Sequence, residues 1–379
     1  MSGPEIILEA IAVERRFVTR RPLFGAAAVV HAVNGVNLRV RRGETFAIVG
    51  ESGCGKSTLA RVLTRLIPAS GGTVHYAGRD LGQLKPAEIR ALRREVQFIF
   101  QDPFSSLNPR MTVGALIEEP LRTHGIGTRA ERKARVASLL ARVGLPPQSA
   151  GRYPHEFSGG QRQRVGIARA LASGPTVVVG DEPVSALDVS IQAQVVNILQ
   201  DLKEEFGLTL IVIAHDLAVI RHMADRVAVM YLGEIVELAP ADQLFDAPRH
   251  PYTEALVAAI PLPDTGARRA RARVEGELPN PIAPPSGCKF HPRCPYAVDR
   301  CATVPPELGP ADAEGRQVAC HRAAELRLDG LVATDTRRTP AAASRFELYR
   351  LARAAEAMPP DSSARKEGAP PPTQQGDSA

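Results

Sequence analysis

Nine residues at positions 50–58 constrain the fold of this chain more than any other stretch, and they read Gly-Glu-Ser-Gly-Cys-Gly-Lys-Ser-Thr. They follow the pattern G-x-x-x-x-G-K-[ST], between an apolar run at 46–49 that predicts a buried strand and a helical pattern at 58–66. The glycines let successive backbone N–H groups point into one concavity, and the start of the following helix adds further amides. This strand–loop–helix unit predicts a binding site for a nucleoside triphosphate.

All nine residues of this phosphate loop are candidate ligands: Gly50, Glu51, Ser52, Gly53, Cys54, Gly55, Lys56, Ser57 and Thr58. We expect Lys56 to reach the β- and γ-phosphates and the Ser57 hydroxyl to be a ligand of Mg²⁺. Cys54 is expected to serve packing. The alternative is a chance glycine-rich turn, which the flanking strand and helix do not favour.

Two carboxylates, Asp181 and Glu182, end a second apolar run that begins at Val177. At the carboxyl end of a parallel strand, Asp181 could hold Mg²⁺ through water, and Glu182 could deprotonate the attacking water. His215 follows another apolar run, at 208–214, which we interpret as the last strand of the sheet. Its imidazole is therefore expected at the same edge. Many strands end in Asp-Glu, so the pattern is informative only together with the phosphate loop.

A third motif, Ser158-Gly159-Gly160-Gln161, precedes a helical run at 165–172. Ser158 is predicted to cap that helix, and the two glycines to expose amides to an anion. A plain helix cap with a glycine-rich entry would explain the same residues. Near the N-terminus an aromatic side chain is expected to stack on adenine, with Phe17 as the first candidate and Phe24 as the alternative.

Composition narrows the class of protein. The 379 residues suffice for two or three domains of about 150 residues each, and the net charge of +6 is too small to argue for nucleic acid. No apolar run approaches the ~18 residues needed to span a bilayer. The N-terminus carries Glu5 and Glu9 and no basic stretch, so it does not have the form of a signal peptide. We expect the chain to stay in the cytosol.

Alternating strand and helix patterns predict a parallel sheet covered on both faces, within a nucleotide-binding domain at residues 1–240. An extension and linker rich in Pro and Gly follows at 241–285. Residues 286–330 form a cysteine-rich segment, and residues 331–379 have the composition of a mostly disordered tail.

Four of the five cysteines lie in that segment: Cys288, Cys294, Cys301 and Cys320. Their spacing matches neither zinc ribbons nor ferredoxins. A small proline-rich segment with few core residues nevertheless favours a stabilising metal. An iron–sulfur cluster, zinc (with His291 and His321 as possible ligands) and free thiols are the alternatives. We expect a structural role, separate from nucleotide binding.

The motifs occur in the order typical of ABC transporter ATPases, and the chain resembles that family over residues 6–238. The resemblance rests on six stretches: the phosphate loop at 50–58, FQDPFSSLNPRMT at 100–112, FSGGQRQR at 157–164, VGDEP at 179–183, SALD at 185–188 and AHD at 214–216. RYPHEFSGGQ at 152–161, DVSIQAQVVN at 188–197 and HPYTEAL at 250–256 narrow it to the bacterial dipeptide and oligopeptide importers, and to the F-type of their two ATPase subunits.

The resemblance implies an α/β fold: a P-loop ATPase core with a parallel sheet, antiparallel N-terminal strands and a helical signature subdomain, followed by a small Cys-rich C-terminal segment. It implies ATP and Mg²⁺, with Glu182, His215 and Gln101 catalytic and with Ser57, Gln101 and Asp181 at the metal. The implied nucleotide contacts also include Phe17, Ser158, Gly159, Gly160, Gln161 and Asp188. Relatives with a matching cysteine set carry a [4Fe–4S] cluster.

The implied partners are two integral membrane permease subunits, a homologous D-type ATPase in a head-to-tail dimer and, indirectly, a periplasmic substrate-binding protein. The implied location is the cytoplasmic face of the inner membrane, without nucleic acid. The alternative is a soluble ABC ATPase of DNA repair or translation. A non-hydrolysing regulatory subunit would lack Glu182 or His215. The substrate stays open among dipeptides, oligopeptides, nickel, glutathione and other small solutes. Gly180, where the family usually has a larger residue, is expected to loosen local packing.

Overall fold

Two β-sheets organise the computed structural model of this chain, which describes residues 5–18, 28–185, 188–214, 216–260, 277 and 279–331. All of these belong to one compact unit, Met1–Val332, and a second unit, Ala333–Ala379, lies outside the described residues. Residues 332–379 of the predicted tail and the alternative adenine contact Phe24 also lie outside the described residues.

The smaller sheet is antiparallel and has the order β2-β1-β4-β5. Its strands are β1 (Ile6–Val18), β2 (Val29–Arg41), β4 (Gly71–Tyr76) and β5 (Arg79–Asp80). In the second half of β2, the side chains of Val36, Leu38 and Val40 are buried while their neighbours are exposed. That alternation is the period of a strand with one face on the core. The predicted antiparallel N-terminal strands are confirmed.

The larger sheet has seven strands in the order β11-β10-β9-β3-β8-β7-β6. They are β3 (Thr45–Val49), β6 (Val96–Ile99), β7 (Val177–Asp181), β8 (Thr209–Ala214), β9 (Arg226–Tyr231), β10 (Glu234–Pro240) and β11 (Gln317–Val318). Strands β6, β7, β8, β3 and β9 pair in parallel. Every residue of β3, β7 and β8 is buried, which explains their continuous apolar sequences.

The interpretation of 208–214 as the last strand was wrong. Strand β9 pairs with β3 on the side opposite β8, and β10 and β11 extend that edge in antiparallel fashion. The sequence order of strands does not reveal this, because β9 returns to the centre of the sheet.

Eleven α-helices cover the sheets or form the helical subdomain within the described residues: α1 (Lys56–Leu63), α2 (Pro86–Glu95), α3 (Pro103–Ser106), α4 (Val113–Thr123), α5 (Arg129–Arg142), α6 (Gly159–Leu171), α7 (Val189–Phe206), α8 (Leu217–Met223), α9 (Ala241–Asp246), α10 (Pro251–Ala258) and α11 (Asp299–Thr303). Short 3₁₀ turns lie at Leu81–Gln83, Pro147–Gly151, Pro154–Glu156 and His291–Arg293. None of these helices is long and apolar enough to cross a bilayer.

Helices α4, α5 and α6 pack on one another beside the seven-stranded sheet, and their apolar faces join one large core cluster. Capping boxes begin two of them, at Thr128 with Glu131 and at Ser158 with Gln161. Each box satisfies backbone N–H groups that a helix start leaves unpaired. The core of the predicted fold is therefore confirmed, including the helical subdomain.

Candidate nucleotide-binding site

A cavity of about 210 Å³ opens where β3 ends and the phosphate loop begins. Seven of the nine loop residues, from Ser52 to Thr58, line it together with Gln101 and Glu182. Three stretches that are distant in the sequence thus meet at the carboxyl edge of the sheet, where ligands bind in such folds.

Other lining residues carried no sequence motif. They are Val30, His31, Ala32, Leu232, Gly233 and Pro281. Three of them lie near the start of β2, two lie in the turn between β9 and β10, and Pro281 belongs to the C-terminal region. Only the fold brings these segments together. The Gly233 N–H donates to the Cys54 carbonyl and the Asn34 N–H to the Gly233 carbonyl, which ties this turn to the phosphate loop and to β2.

Lys56 is the buried cation of the site, with 4% of its surface exposed. Its Nζ donates to the carbonyls of Gly50 and Glu51, each at 2.8 Å. Neither bond involves a carboxylate, so its charge is available to an anion in the cavity. Cys54 is buried behind it, and burial raises the pKa of its thiol. That environment agrees with the packing role predicted for Cys54.

Ser57 lines the cavity, and behind it the Ser57 hydroxyl donates to Oδ1 of the buried Asp181 at 2.7 Å. Burial raises the pKa of Asp181, while the Ser57 bond and the Arg61 guanidinium, 3.9 Å from Oδ2, act in the opposite direction. A hydroxyl and a carboxylate in contact are hard oxygen donors of the kind that Mg²⁺ takes. These two residues fit the predicted metal site.

Glu182 lies beside them at the end of β7, and its Oε2 accepts a hydrogen bond from Gln101 Nε2 at 2.9 Å. Its φ is 48°, a conformation that costs a residue with a Cβ about 1–3 kcal/mol. The Glu182 N–H donates to the Ile213 carbonyl of β8 at 3.0 Å, which holds this backbone in place. The strained conformation turns the carboxylate toward Gln101 and the cavity. His215 lies outside the described residues.

The Ser158 motif does not line this cavity. Ser158 caps α6 and is exposed, its Oγ accepting from the Gln161 N–H at 3.3 Å. Gly160 packs against α7, where a Cβ would lie 2.6 Å from Ile191 Cγ2, so a larger residue would require Ile191 to shift. Asp188 occupies the N-cap position of α7 and is also exposed. These residues form a surface separate from the cavity of their own chain.

Phe17 is an exposed residue of β1, with 40% of its surface accessible. The Arg15 guanidinium lies over its ring at 4.7 Å, and its antiparallel partner is Val30, which lines the cavity. The candidate adenine contact thus lies next to the cavity wall without being part of it.

Gly50 and Glu51 are the two loop residues that do not line the cavity. The Glu51 carboxylate points instead to the cysteine-rich segment, where it pairs with Arg293. The segment was expected to be separate from the nucleotide site, but this pair brings the two into contact.

The expectation that Gly180 loosens packing was also wrong. A Cβ at Gly180 would lie 3.1 Å from the Pro183 ring, so proline occupies the space that a larger residue would need.

The four cysteines Cys288, Cys294, Cys301 and Cys320 line a second cavity together with His291 and His321. None of these four cysteines forms a disulfide. Burial raises the pKa of Cys288 and Cys294 to about 11 and also raises that of Cys320, with smaller contributions from the neighbouring cysteines. Within the described ranges, no group of three or more His, Cys, Asp or Glu has the arrangement that holds a metal ion.

Comparison with known proteins places this geometry in context. The family described as ABC transporter matches residues 33–185, and the family described as oligopeptide/dipeptide transporter, C-terminal region, matches residues 236–301. A probable peptide ABC transporter ATP-binding protein of Sinorhizobium fredii is 57% identical over 77% of this chain and 83% of its own length. An oligopeptide transport ATP-binding protein of Bacillus subtilis is 51% identical over 84% of this chain and 98% of its own length.

Solved structures agree on the fold. An ATP-binding cassette in a dimeric post-hydrolysis state with ADP and phosphate superimposes with a TM-score of 0.56 at 30% identity, covering 62% of this chain and 99% of that one. A subunit of a clostridial ABC transporter complex superimposes with a TM-score of 0.55 at 26% identity, covering 64% of this chain and 91% of that one.

Proposed function

We propose that this chain binds ATP in the cavity lined by residues 52–58. The chain belongs to the ABC transporter family, among the ATP-binding subunits that hydrolyse ATP to drive peptide uptake. One observation carries this proposal: the phosphate loop and the Gln101–Glu182 pair line one cavity, and Ser57 of that loop is hydrogen-bonded to the buried Asp181. Lys56 binds the β- and γ-phosphates, which replace the two carbonyl oxygens that now accept from its Nζ.

Ser57 and Asp181 are the proposed Mg²⁺ site, with Gln101 beside them. The ion would neutralise phosphate charge. Glu182 accepts the proton of the attacking water, and its bond from Gln101 orients the carboxylate. We assign to His215 a contact with the γ-phosphate, on the basis of its place after β8.

The surface formed by Ser158, Gly159, Gly160, Gln161 and Asp188 completes the nucleotide site of a second ATPase subunit in a head-to-tail dimer. Two facts support this assignment: Ser158 and Gln161, whose N–H it caps, are exposed residues, and none of the five residues lines the chain's own cavity. The dimeric state of a similar cassette agrees with it. Phe17 is the proposed adenine contact.

A groove next to the Gln101 loop is the proposed docking site for a permease subunit. It is lined by residues that include Leu66, Phe100 and Arg169. Leu66, Phe100 and nearby Phe104 are 38%, 39% and 61% exposed, an apolar surface suited to a protein partner. We propose two such permeases, a D-type second ATPase and a periplasmic binding protein, with this chain at the cytoplasmic face of the inner membrane.

For the cysteine cavity we propose a [4Fe–4S] cluster held by Cys288, Cys294, Cys301 and Cys320. The support is the donor set, four thiols on one cavity, which is the ligand set of such clusters. A cluster distributes its cysteines over several irons, so it does not require the ligand arrangement of a single ion.

Lys56→Ala tests the nucleotide site, because the phosphates would lose their cation. We expect ATP affinity to fall at least roughly tenfold, and ATP-driven peptide uptake by the assembled transporter to cease. Lys133→Ala, on the surface of α5, is the control and should leave both unchanged. Unaltered ATP affinity in Lys56→Ala would refute the proposed site.

A further inference from the structure

An ion pair connects the phosphate loop to the cysteine-rich segment. Arg293 lies in the 3₁₀ turn between Cys288 and Cys294, and its guanidinium donates to both carboxylate oxygens of Glu51, at 2.9 and 3.0 Å. The Arg293 side chain is 8% exposed. A bidentate pair of this kind is directional and is weakly screened when buried.

A second contact holds the same loop residue from the C-terminal part of the chain. The Glu51 N–H donates to Tyr252 Oη at 2.8 Å, and Tyr252 is fully buried in α10. Its ring lies 4.7 Å from that of Tyr231 and 5.3 Å from that of Phe290. Phe290 belongs to the cysteine-rich segment, so the aromatic cluster fixes that segment and Tyr252 together.

Glu51 joins these contacts to the cation of the site. Its carbonyl accepts from Lys56 Nζ at 2.8 Å, while its N–H and its carboxylate bind Tyr252 and Arg293. The loop around it contains Gly50, Gly53 and Gly55, all at positive φ. Glycines gain conformational freedom when they are not held, so a loop of this composition needs external contacts to keep its amides aligned.

The turn that carries Arg293 is part of the wall of the cysteine cavity. The Arg293 N–H donates to the Phe290 carbonyl and the Cys294 N–H to the His291 carbonyl. Cys288 and Cys294, on either side of the turn, both line that cavity. The position of Arg293 therefore depends on the order of the cysteine-rich segment.

We propose that Arg293 is a positioning residue for ATP: through Glu51, it holds the phosphate loop in its nucleotide-binding conformation. This inference rests on the proposed nucleotide site and adds to it a residue that does not line the nucleotide cavity. It makes the C-terminal segment a determinant of nucleotide affinity in an ATPase whose motifs all lie upstream of it.

A double-mutant cycle on Arg293→Gln and Glu51→Gln in the full chain tests the proposal, with equilibrium ATP binding as the readout. Each single variant should lower ATP affinity roughly tenfold, and the double variant should be no weaker than either single one, because both remove the same contact. In the assembled transporter, KM for ATP should rise while kcat at saturating ATP changes little.

If Glu51 and Arg293 acted on ATP only through their charges, the double-mutant cycle would give a different set of ATP affinities. Removing the negative charge of Glu51 would then tighten ATP binding, removing Arg293 would weaken it, and the two effects would add. That pattern, or unchanged affinity in both single variants, would overturn the proposal. Glu51→Gln changes no volume and lies outside the cysteine-rich segment, so it keeps the test valid if Arg293→Gln disturbs folding.

Arg249→Gln is the matched control. Its guanidinium pairs with Asp312 at 3.0 Å, its side chain is 46% exposed, and it does not line the nucleotide cavity. It should bind ATP as the unaltered chain does. Lys56→Ala distinguishes the proposed nucleotide site from the proposed role of Arg293. If it weakens ATP binding while the Arg293 and Glu51 variants do not, the nucleotide site is supported and the role of Arg293 is refuted.

Discussion

Single residues of the site are held in conformations that the backbone alone would not choose. Glu182 has a φ of 48°, and a bond from its N–H to the Ile213 carbonyl keeps it there. In this conformation the Glu182 carboxylate accepts a hydrogen bond from Gln101 at the cavity. Strain at a residue whose neighbours hold it in place is typical of functional sites.

Glu182→Gln should leave ATP binding intact and slow hydrolysis by about 10²- to 10⁴-fold, because it removes the proton acceptor and keeps the shape. Binding is measured at equilibrium and turnover in the assembled transporter. The variant should also accumulate as a closed dimer with ATP. Glu204→Gln, on the exposed surface of α7, should hydrolyse ATP normally. Turnover near the unaltered rate would mean that Glu182 is not the base.

Individual elements connect the sheet edge to the C-terminal part of the chain. Strand β10 carries Glu237, which is fully buried and lies 3.3 Å from Arg316. Its carboxylate also accepts from the N–H groups of Arg249 and His250. Burial raises the pKa of Glu237 and lowers that of Arg316, so each charge depends on the other.

Glu237→Gln should lower the free energy of unfolding by about 3 kcal/mol, because it leaves the Arg316 guanidinium buried without its counter-charge. Chemical denaturation measures this loss. Glu325→Gln removes a carboxylate from an exposed pair, with Arg322 at 2.9 Å, and should cost about 0–1 kcal/mol. Equal losses in the two variants would show that the buried pair has no special weight.

Helix α10 begins at His250, whose Nδ1 accepts from the Tyr252 N–H at 3.0 Å. Burial lowers the pKa of His250 to about 3, against about 6.5 in the unfolded chain. Between these values the unfolded chain binds a proton that the folded chain excludes. The stability that depends on the neutral, buried His250 is therefore fully present above pH 6.5 and declines as the pH falls toward 3.

His250→Asn keeps an acceptor for the Tyr252 N–H and removes the titration. Between pH 7 and 5 the unaltered chain should lose roughly 2 kcal/mol more of its unfolding free energy than the variant does. Denaturant unfolding at several pH values gives both curves. Parallel curves would contradict the assignment of this pH dependence to His250.

At the scale of the whole molecule, the cysteine-rich segment is built into the ATPase instead of following it as a separate module. Strand β11 pairs with β10, Lys289 bridges to Glu234 at 2.8 Å and Arg293 reaches the phosphate loop. Events at the cysteine cavity should therefore change nucleotide binding.

Cys294→Ser, purified without oxygen, should bleach the brown colour of the proposed cluster, whose iron and sulfide contents should be near four each per chain. Through Arg293 it should also lower ATP affinity, contrary to the independence expected from sequence. Visible absorption, iron analysis and ATP binding measure these effects. Cys54→Ala cannot serve as the control, because Cys54 belongs to the phosphate loop itself. One zinc per colourless chain would refute the cluster, and unchanged ATP affinity after cluster loss would refute the coupling.

Local patterns in the sequence predicted the elements that carry the proposed site. The phosphate loop, the Asp181-Glu182 strand end and the Ser158 cap each lie within a few residues, and their backbone geometry depends on glycines, caps and apolar runs beside them. The helical run predicted at 165–172 falls on α6 (Gly159–Leu171), which ends one residue earlier. Periodicity and capping are local properties, so sequence alone determined these elements.

The tertiary structure decided what approaches these motifs from elsewhere. It placed β9 beside β3, brought Leu232 and Pro281 to the cavity and paired Glu51 with Arg293, which is 242 residues away. No periodicity or motif links such residues, because their contact depends on the order of strands and on how the C-terminal segment returns to the sheet. A lone Glu in a loop and a lone Arg between cysteines have no partner in the sequence; the fold supplies one to each.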